Sequence, residues 1–400
     1  MQPTPNLKAH FGYPKFKSPP YRLLFPHVLT YELNLQTSLL AELRRQGHQV
    51  VEQPFRRGQP ADETLRVLLR KAVEVRPDAV LTLNGMGLDN RGRAMSTLSE
   101  LGLPVVTWYL DHHLFNGPAG NGASREWAFA FSYESSFTTS LREAGFQHVF
   151  YLPLASDPGL VPAGDQSPYS SLTDKVSYVG NTFAQAARDY HEPGFERLYA
   201  EWAPDFGGQK WAQGRIDLET LFDPYRDRFA REEFHRFMAY VVARETLRYR
   251  VDQLSSLVDE ALVVFGPSDW KDHLPKALLR PPVAYQTESP WVYRSSAVNL
   301  SLTTLQHETA LNQRYYDVPL CGGFLLGEWQ ESLPEHFELE EEAVCFRSKE
   351  ELVDKARYYR AHPAEKQRIV ERARKRVLRE HLMEHRVATL LAEVRRVCRA

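Results

Sequence analysis

The sequence predicts an α/β protein with two parallel-sheet domains, and three observations carry that expectation. Short, continuously apolar strands alternate with amphipathic helices from Tyr21 to about Ala155 and again from Lys175. Strands of that kind, separated by helices, belong to parallel sheets covered on both faces. Residues 156–174, SDPGLVPAGDQSPYSSLTD, break the pattern with Pro, Gly, Ser and Asp, the composition of a linker. A length of 400 residues also exceeds what one hydrophobic core usually supports.

The elements follow in order. RLLFPHV (22–28) reads as a strand and NLQTSLLAELRRQG (34–47) as a helix closed by Gly47. HQVVEQPF is a strand; DETLRVLLRKAVEVRPD is a helix with Asp62 as its cap. AVLTLNG (79–85), a helix to Gly102, PVVTWYLD (104–111), AFAFSYES, a helix to Gly145 and HVFYLPLA (148–155) complete the first domain, 1–155. The second, 175–380, opens on KVSYVGN (175–181), continues through a long helical region to about Glu260, and returns to strand at ALVVFG (261–266). PPVAYQT, AVNLSL, GGFLLGE and AVCFRS supply further strands. The tail from Lys349 reads as two or three helices broken near Pro363 and His381, with 381–400 a terminal helix able to cross back to the first domain. The Pro-rich lead-in 1–20 reads as loosely ordered.

Composition excludes several classes. A formal net charge of −2 gives no drive towards nucleic acid, and no basic, aromatic-lined groove is visible. No apolar run approaches a membrane span, and no signal-peptide core is present, so a cytoplasmic protein is expected. The three cysteines, Cys321, Cys345 and Cys398, share no metal-ligand spacing and suggest a reducing compartment. The absence of GxGxxG after either first strand, and of GxxxxGK[ST], argues against a dinucleotide dehydrogenase or a P-loop enzyme. The basic run from Lys349 and the acidic stretch Glu335 to Glu342 read as solvated surface. Nothing specifies an oligomeric state.

Residues 296–326, SAVNLSLTTLQHETALNQRYYDVPLCGGFLL, are the most informative stretch. They read as a buried strand, a polar loop, a helix starting near Thr309 that carries Asn312, Arg314 and Asp317, a Cys321-Gly322-Gly323 turn and a second strand. A strand end beside a helix N-terminus suits an anion, because free N–H groups and the helix dipole meet there. Two Rossmann-like units are expected to face a ligand across a cleft at the carboxyl ends of their strands. In the first domain, Asp111 and His112, followed by His113, close the strand at Tyr109, and charged groups at a strand's carboxyl end point to a site. A metal held by that trio is the rival reading, although adjacent residues on an extended loop diverge. Asn84-Gly85-Met86-Gly87 ends the neighbouring strand, and Asp89 beyond it reads as lining or turn.

With NQRYYDVPLCGGFLL preceded by SSAVNLSLT and followed by EHLMEHRVATLL, the chain resembles the GT-B glycosyltransferases. It is most similar to the bacterial spore-maturation or spore-crust glycosyltransferase-like proteins, whose C-terminal domain is like the family-4 donor domain. RPDAVLTLNGMGLD, LPVVTWYLDHHLF and GFQHVFYLPLASDP extend the resemblance over about residues 21–395. It implies a GT-B fold, two Rossmann-like domains and a helical tail, binding a nucleotide-diphosphate sugar without cofactor or metal. Asp317 then stands where a glutamate accepts from ribose hydroxyls, and Thr309, with Glu308 beside it, where a first glutamate would stand; Thr309 as a helix cap is the alternative. Asn312 and Arg314 belong to the narrower group's signature. Arg314 is implied for the diphosphate, or else for a helix-surface pair with Asp317. Gly180 and Asn181, in the Val179-to-Thr182 strand end, face the donor phosphates, with Arg188 a second charge. Phe265-Gly266-Pro267-Ser268 stands as a base-side wall or a plain turn, and Asn299 as a strand polar group. On the acceptor side, Asp111 orients or deprotonates a hydroxyl and His112 donates towards the leaving region. The implied reaction is retaining glycosyl transfer to a surface protein or glycan such as a spore coat. A non-catalytic nucleotide- or glycan-binding protein and a sugar-nucleotide epimerase are the alternatives.

Overall fold

The computed structural model describes residues 5–29, 34–89, 92–113, 125–164 and 166–399. Two units emerge, Met1–Leu154 with Met383–Ala400, and Ala155–Leu382. Each is built on a six-stranded sheet whose paired strands all run parallel.

In the first unit the strands are β1 (Arg22–Val28), β2 (Gln49–Phe55), β3 (Ala79–Leu83), β4 (Val105–Tyr109), β5 (Arg125–Ser132) and β6 (Phe146–Tyr151). Their order is β2-β1-β3-β4-β5-β6. Strands β3 and β4 are buried at every position, as their unbroken apolar runs require. The order reverses between β1 and β3, and there Gly87 is indispensable. It has φ +77°, and an added Cβ would sit 2.7 Å from the Pro26 and His27 backbone.

The lead-in differs from the loose segment expected. Pro5–His10 is helical, Phe11 and Phe16 are buried, and Asp78 accepts from the backbone N–H groups of Phe16 (2.7 Å) and Arg22 (2.8 Å). Two aromatic rings gave the segment enough apolar area to dock despite its prolines. Asp62 is not a cap either: the Ala61–Val75 helix starts from Pro60, and Asp62 lies in its acidic first turn.

The terminal helix Met383–Cys398 belongs to this unit and packs against the Asn34–Arg45 helix. Arg386, 7% exposed, donates to the carbonyls of Pro153 (2.9 Å) and Leu154 (3.0 and 3.1 Å). Arg386→Ala leaves these carbonyls unsatisfied and is expected to cost about 2–3 kcal/mol, read as a lower urea midpoint.

The second unit contains β7 (Val176–Val179), β8 (Leu262–Phe265), β9 (Leu278–Arg280), β10 (Val298–Ser301), β11 (Leu325–Glu328) and β12 (Val344–Phe346). Their order is β12-β11-β10-β7-β8-β9. Counted within the unit from the other edge, this is the 3-2-1-4-5-6 order of dinucleotide-binding sheets, with its reversal between β7 and β10. PPVAYQT is not a strand. The edge strand is the preceding Leu278–Arg280, because Pro281 and Pro282 cannot donate to a ladder. The sheet's apolar residues, among them Val176, Leu262, Val264, Val298, Leu300 and Leu326, pack with Leu352, Ala356 and Ile369 from the tail helices Lys349–Ala361 and Pro363–Glu380.

Candidate functional site

The carboxyl ends of β7 and β10 are the sheet's reversal point, and the second unit gathers its buried charge there. Tyr178 on β7 is fully buried, with the guanidinium carbons of Arg250 and Arg314 at 5.8 and 5.9 Å from its ring centroid. Two residues on, Gly180 must lack a side chain. A Cβ there would meet the Tyr178 hydroxyl at 2.6 Å, while the Gly180 carbonyl accepts from the Trp270 indole at 2.9 Å. Asn181 is exposed; its carbonyl and its Oδ1 accept from Arg250 at 2.9 and 3.2 Å.

Arg250 comes from the long helix Arg231–Ser255 and is 4% exposed. Its other guanidinium nitrogen reaches the Leu302 carbonyl at 3.4 Å, and its Nε has no partner. Arg314 opens the helix Arg314–Leu320, is half-buried, donates to the Val179 carbonyl and also has an unpartnered Nε. Among the described residues no carboxylate pairs with either cation. Burying a guanidinium against carbonyls alone is costly, and burial pushes the Arg250 pKa down. His307, also buried, is held neutral with its pKa lowered to about 3, first by burial and then by Lys210 and Arg250. Lys210 itself lies 2.6 Å from Glu328 Oε1, and both are buried. Excess positive charge thus stands at a reversal point lined by main-chain ends, an arrangement suited to a polyanion.

Of the other residues expected at this site, some stand elsewhere and some are taken up by local structure. Arg188 is exposed and bonds to Gln185 (2.8 Å) on its own short helix, because it faces outward one turn after Ala184. Thr309 is not the cap of the signature helix, which begins at Arg314; it sits on a buried bend whose carbonyl accepts from Ser332 N–H (3.1 Å) and Oγ (2.7 Å). Asp317 is 1% exposed and is not presented to a ribose. Its oxygens accept from Ser156 Oγ (2.6 Å), Tyr285 OH (2.8 Å) and Gln313 (3.1 Å), joining the start of the unit to this helix. Burial pushes its pKa up to about 6 despite those donors. No salt bridge joins Asp317 to Arg314 among the described residues. Asn312 works as a latch, exchanging hydrogen bonds with Ser301 Oγ (2.7 and 3.0 Å) and accepting from Arg314 N–H (3.0 Å). Asn299 serves the backbone, donating to the Tyr293 and Phe324 carbonyls.

In the first unit, Asp111 and His112 follow β4. Asn84, at φ 52°, accepts from Leu110 and Asp111 N–H (2.7 and 3.2 Å) and donates to Asp111 Oδ2 (2.7 Å), so β3 braces the β4 end. His112 is wholly buried and stacks on His113 (5.1 Å) beside Phe137 (4.1 Å). Asp89 accepts from Arg93 and Ala94 N–H and serves the next helix start. Among the described residues no three His, Cys, Asp or Glu side chains converge as for a metal ion.

Sequence reasoning missed Arg250, Lys210 and Glu328. Arg250 and Lys210 sit in helices without a motif. Glu328 carried a signal: like Asp111, it is a charge closing an apolar strand.

Residues 244–392 match the family model described as glycosyl transferase-like. Three similar solved structures cover nearly the whole chain. HepE of Anabaena in complex with UDP is 10% identical, covers 93% of this chain and 99% of its own, and has a TM-score of 0.55. The fold is GT-B. Sucrose-phosphate synthase of Thermosynechococcus elongatus is 11% identical over 92% and 96% of the two chains, with a TM-score of 0.55. AviGT4, a glycosyltransferase involved in avilamycin A biosynthesis, is 13% identical over 95% and 98%, with a TM-score of 0.52. No curated protein matches this chain in sequence. The glycosyl transferase-like match begins at Arg244, so it includes Arg250 and Arg314 of the GT-B unit's reversal point but not Lys210. No helix among the described residues is long and apolar enough to cross a membrane.

Proposed function

We propose that this GT-B protein is a glycosyltransferase that moves a sugar from a nucleotide-diphosphate donor to an acceptor hydroxyl on a protein or glycan. The observation that carries the reading is the pair of guanidiniums, Arg250 and Arg314, lodged around Tyr178 with no carboxylate partner among the described residues. A departing nucleoside diphosphate supplies the missing negative charge. These cations stabilise it where a divalent metal would otherwise be needed, so the transfer is proposed to be metal-independent. UDP bound to the similar HepE structure supports a uridine donor as the first to try. Asp111 and His112 are proposed for the acceptor hydroxyl, and retention of configuration is proposed from the family-4 resemblance of 296–326.

Incubating the protein with UDP-, GDP-, dTDP- and CMP-sugars tests this. Release of the nucleotide from one donor, unchanged by EDTA and lost in Arg314→Ala, is the expected result; no release from any donor would count against turnover. A second reading, nucleotide binding without transfer, is favoured by Glu308. That carboxylate accepts from Leu218 N–H at 3.1 Å, turned to its own unit's helices. Under it, the same nucleotides raise the melting temperature but none is consumed.

A further inference from the structure

Between β7 and the long helix, residues 184–230 form a run of short helices that lies outside the glycosyl transferase-like match. One of them, Phe206–Gln213, is capped by Asp205, whose side chain accepts from Gly208 N–H at 3.1 Å. It packs flush on the long helix because Gly207 lacks a Cβ, which would stand 3.0 Å from the Tyr249 ring. One turn on, Lys210 runs inward, 2% exposed, to Glu328 Oε1 (2.6 Å) and Thr303 Oγ1 (3.2 Å).

Glu328 Oε2 accepts from the Thr303 hydroxyl (2.7 Å) and from its backbone N–H (2.9 Å). The Thr303 oxygen then accepts from Lys210 and from Gln330 Nε2 (2.8 Å). A second tie joins the same segment to the same loop: Leu218 N–H donates to Glu308. Residues 302–313 contain neither helix nor strand; Thr246, Ser332 and Ser301 also tie Leu305, Thr309 and Asn312, and the contacts from 184–230 add the two that come from this segment.

We propose that the 184–230 segment is a clamp on loop 303–312, with Lys210 and Glu308 as positioning residues that hold this loop against the donor sugar. The clamp rests on the reading of the reversal point as the donor site, and it leaves the phosphate partners Arg250 and Arg314 untouched. Lys210→Met leaves Glu328 buried without its counter-charge and takes one of the donors from Thr303 Oγ1, so the loop loosens while the cations stay.

Hydrogen exchange on the full chain tests the clamp, with UDP and UDP-glucose titrations beside it. Lys210→Met is expected to speed exchange of 303–312 about tenfold or more, with the long helix 231–255 unchanged. UDP affinity should fall by several-fold at most, through the field of the uncovered Glu328, kcat for sugar release at saturating donor should fall about tenfold or more, and Lys210→Arg should recover most of both. Should Lys210→Met fail to fold, Glu308→Ala carries the test with the same local acceleration expected. Loop exchange equal to wild type in the folded variants overturns the clamp, as does acceleration spread evenly through the unit. Wild type that binds neither nucleotide would instead overturn the donor-site reading, and the exchange result would still report on the clamp.

Discussion

Arg250→Met is expected to weaken binding of a nucleoside diphosphate by about 30- to 100-fold while changing the melting temperature by only a few degrees. Arg250 is 4% exposed, so it acts on a bound anion largely through its field. One unit charge at ~6 Å and an effective dielectric near 20 is worth roughly 3 kcal/mol, which is that loss of affinity. Its effect on the fold is smaller because two terms oppose. Methionine abandons the Asn181 and Leu302 carbonyls, but it also removes a desolvated charge and an unpartnered Nε. Calorimetric titration with UDP and a thermal scan of each variant check both halves. Equal losses of affinity and stability would mean that Arg250 is a structural residue.

The pH dependence of stability holds the second large effect, concealed in the wild type by two buried groups of opposite sign. His307 has its folded pKa depressed from 6.5 to about 3, so its contribution is complete above pH 6.5 and is lost as pH falls towards 3. Asp317 has its folded pKa raised from 3.8 to about 6, so its contribution is present below 3.8 and is lost as pH rises through 6. Between pH 7 and pH 5 the histidine therefore costs about 2 kcal/mol and the aspartate adds about 1 kcal/mol. For these two groups together the change is small. Asp317→Asn is expected to expose the acid loss of about 2 kcal/mol, and His307→Gln the acid gain of about 1 kcal/mol, in urea denaturation at the two pH values. Parallel pH profiles in wild type and both variants would show that neither side chain titrates in this window.

The backbone plan was legible in the sequence to within a residue or two at most strands, β1 at Arg22–Val28 being matched throughout. Continuous apolar runs and glycine stops are local signals, and they survive folding. The candidate site was less legible. Gly180, Asn181 and Arg314 do meet at the reversal point, because strand ends and the residues beside them are placed by the sheet order itself. Asp317 and Thr309 were read through a family pattern, and burial decided otherwise: both are enclosed by partners far along the chain, Ser156 and Tyr285 for one, Ser332 for the other. Arg250 escaped notice for the converse reason. Within a 25-residue helix it looks like any solvated arginine, and only the packing of that helix behind β7 turns it inward.

The most direct test of the donor-site claim is a calorimetric titration of UDP into wild type and Arg314→Ala. Arg314 is half-buried, and its loss removes charge-assisted contacts worth about 1.5–3 kcal/mol without emptying the core. Saturable binding to the wild type, weakened at least about tenfold in a variant that melts normally, is the predicted result. The same affinity in both proteins would contradict the placement of the diphosphate between β7 and β10.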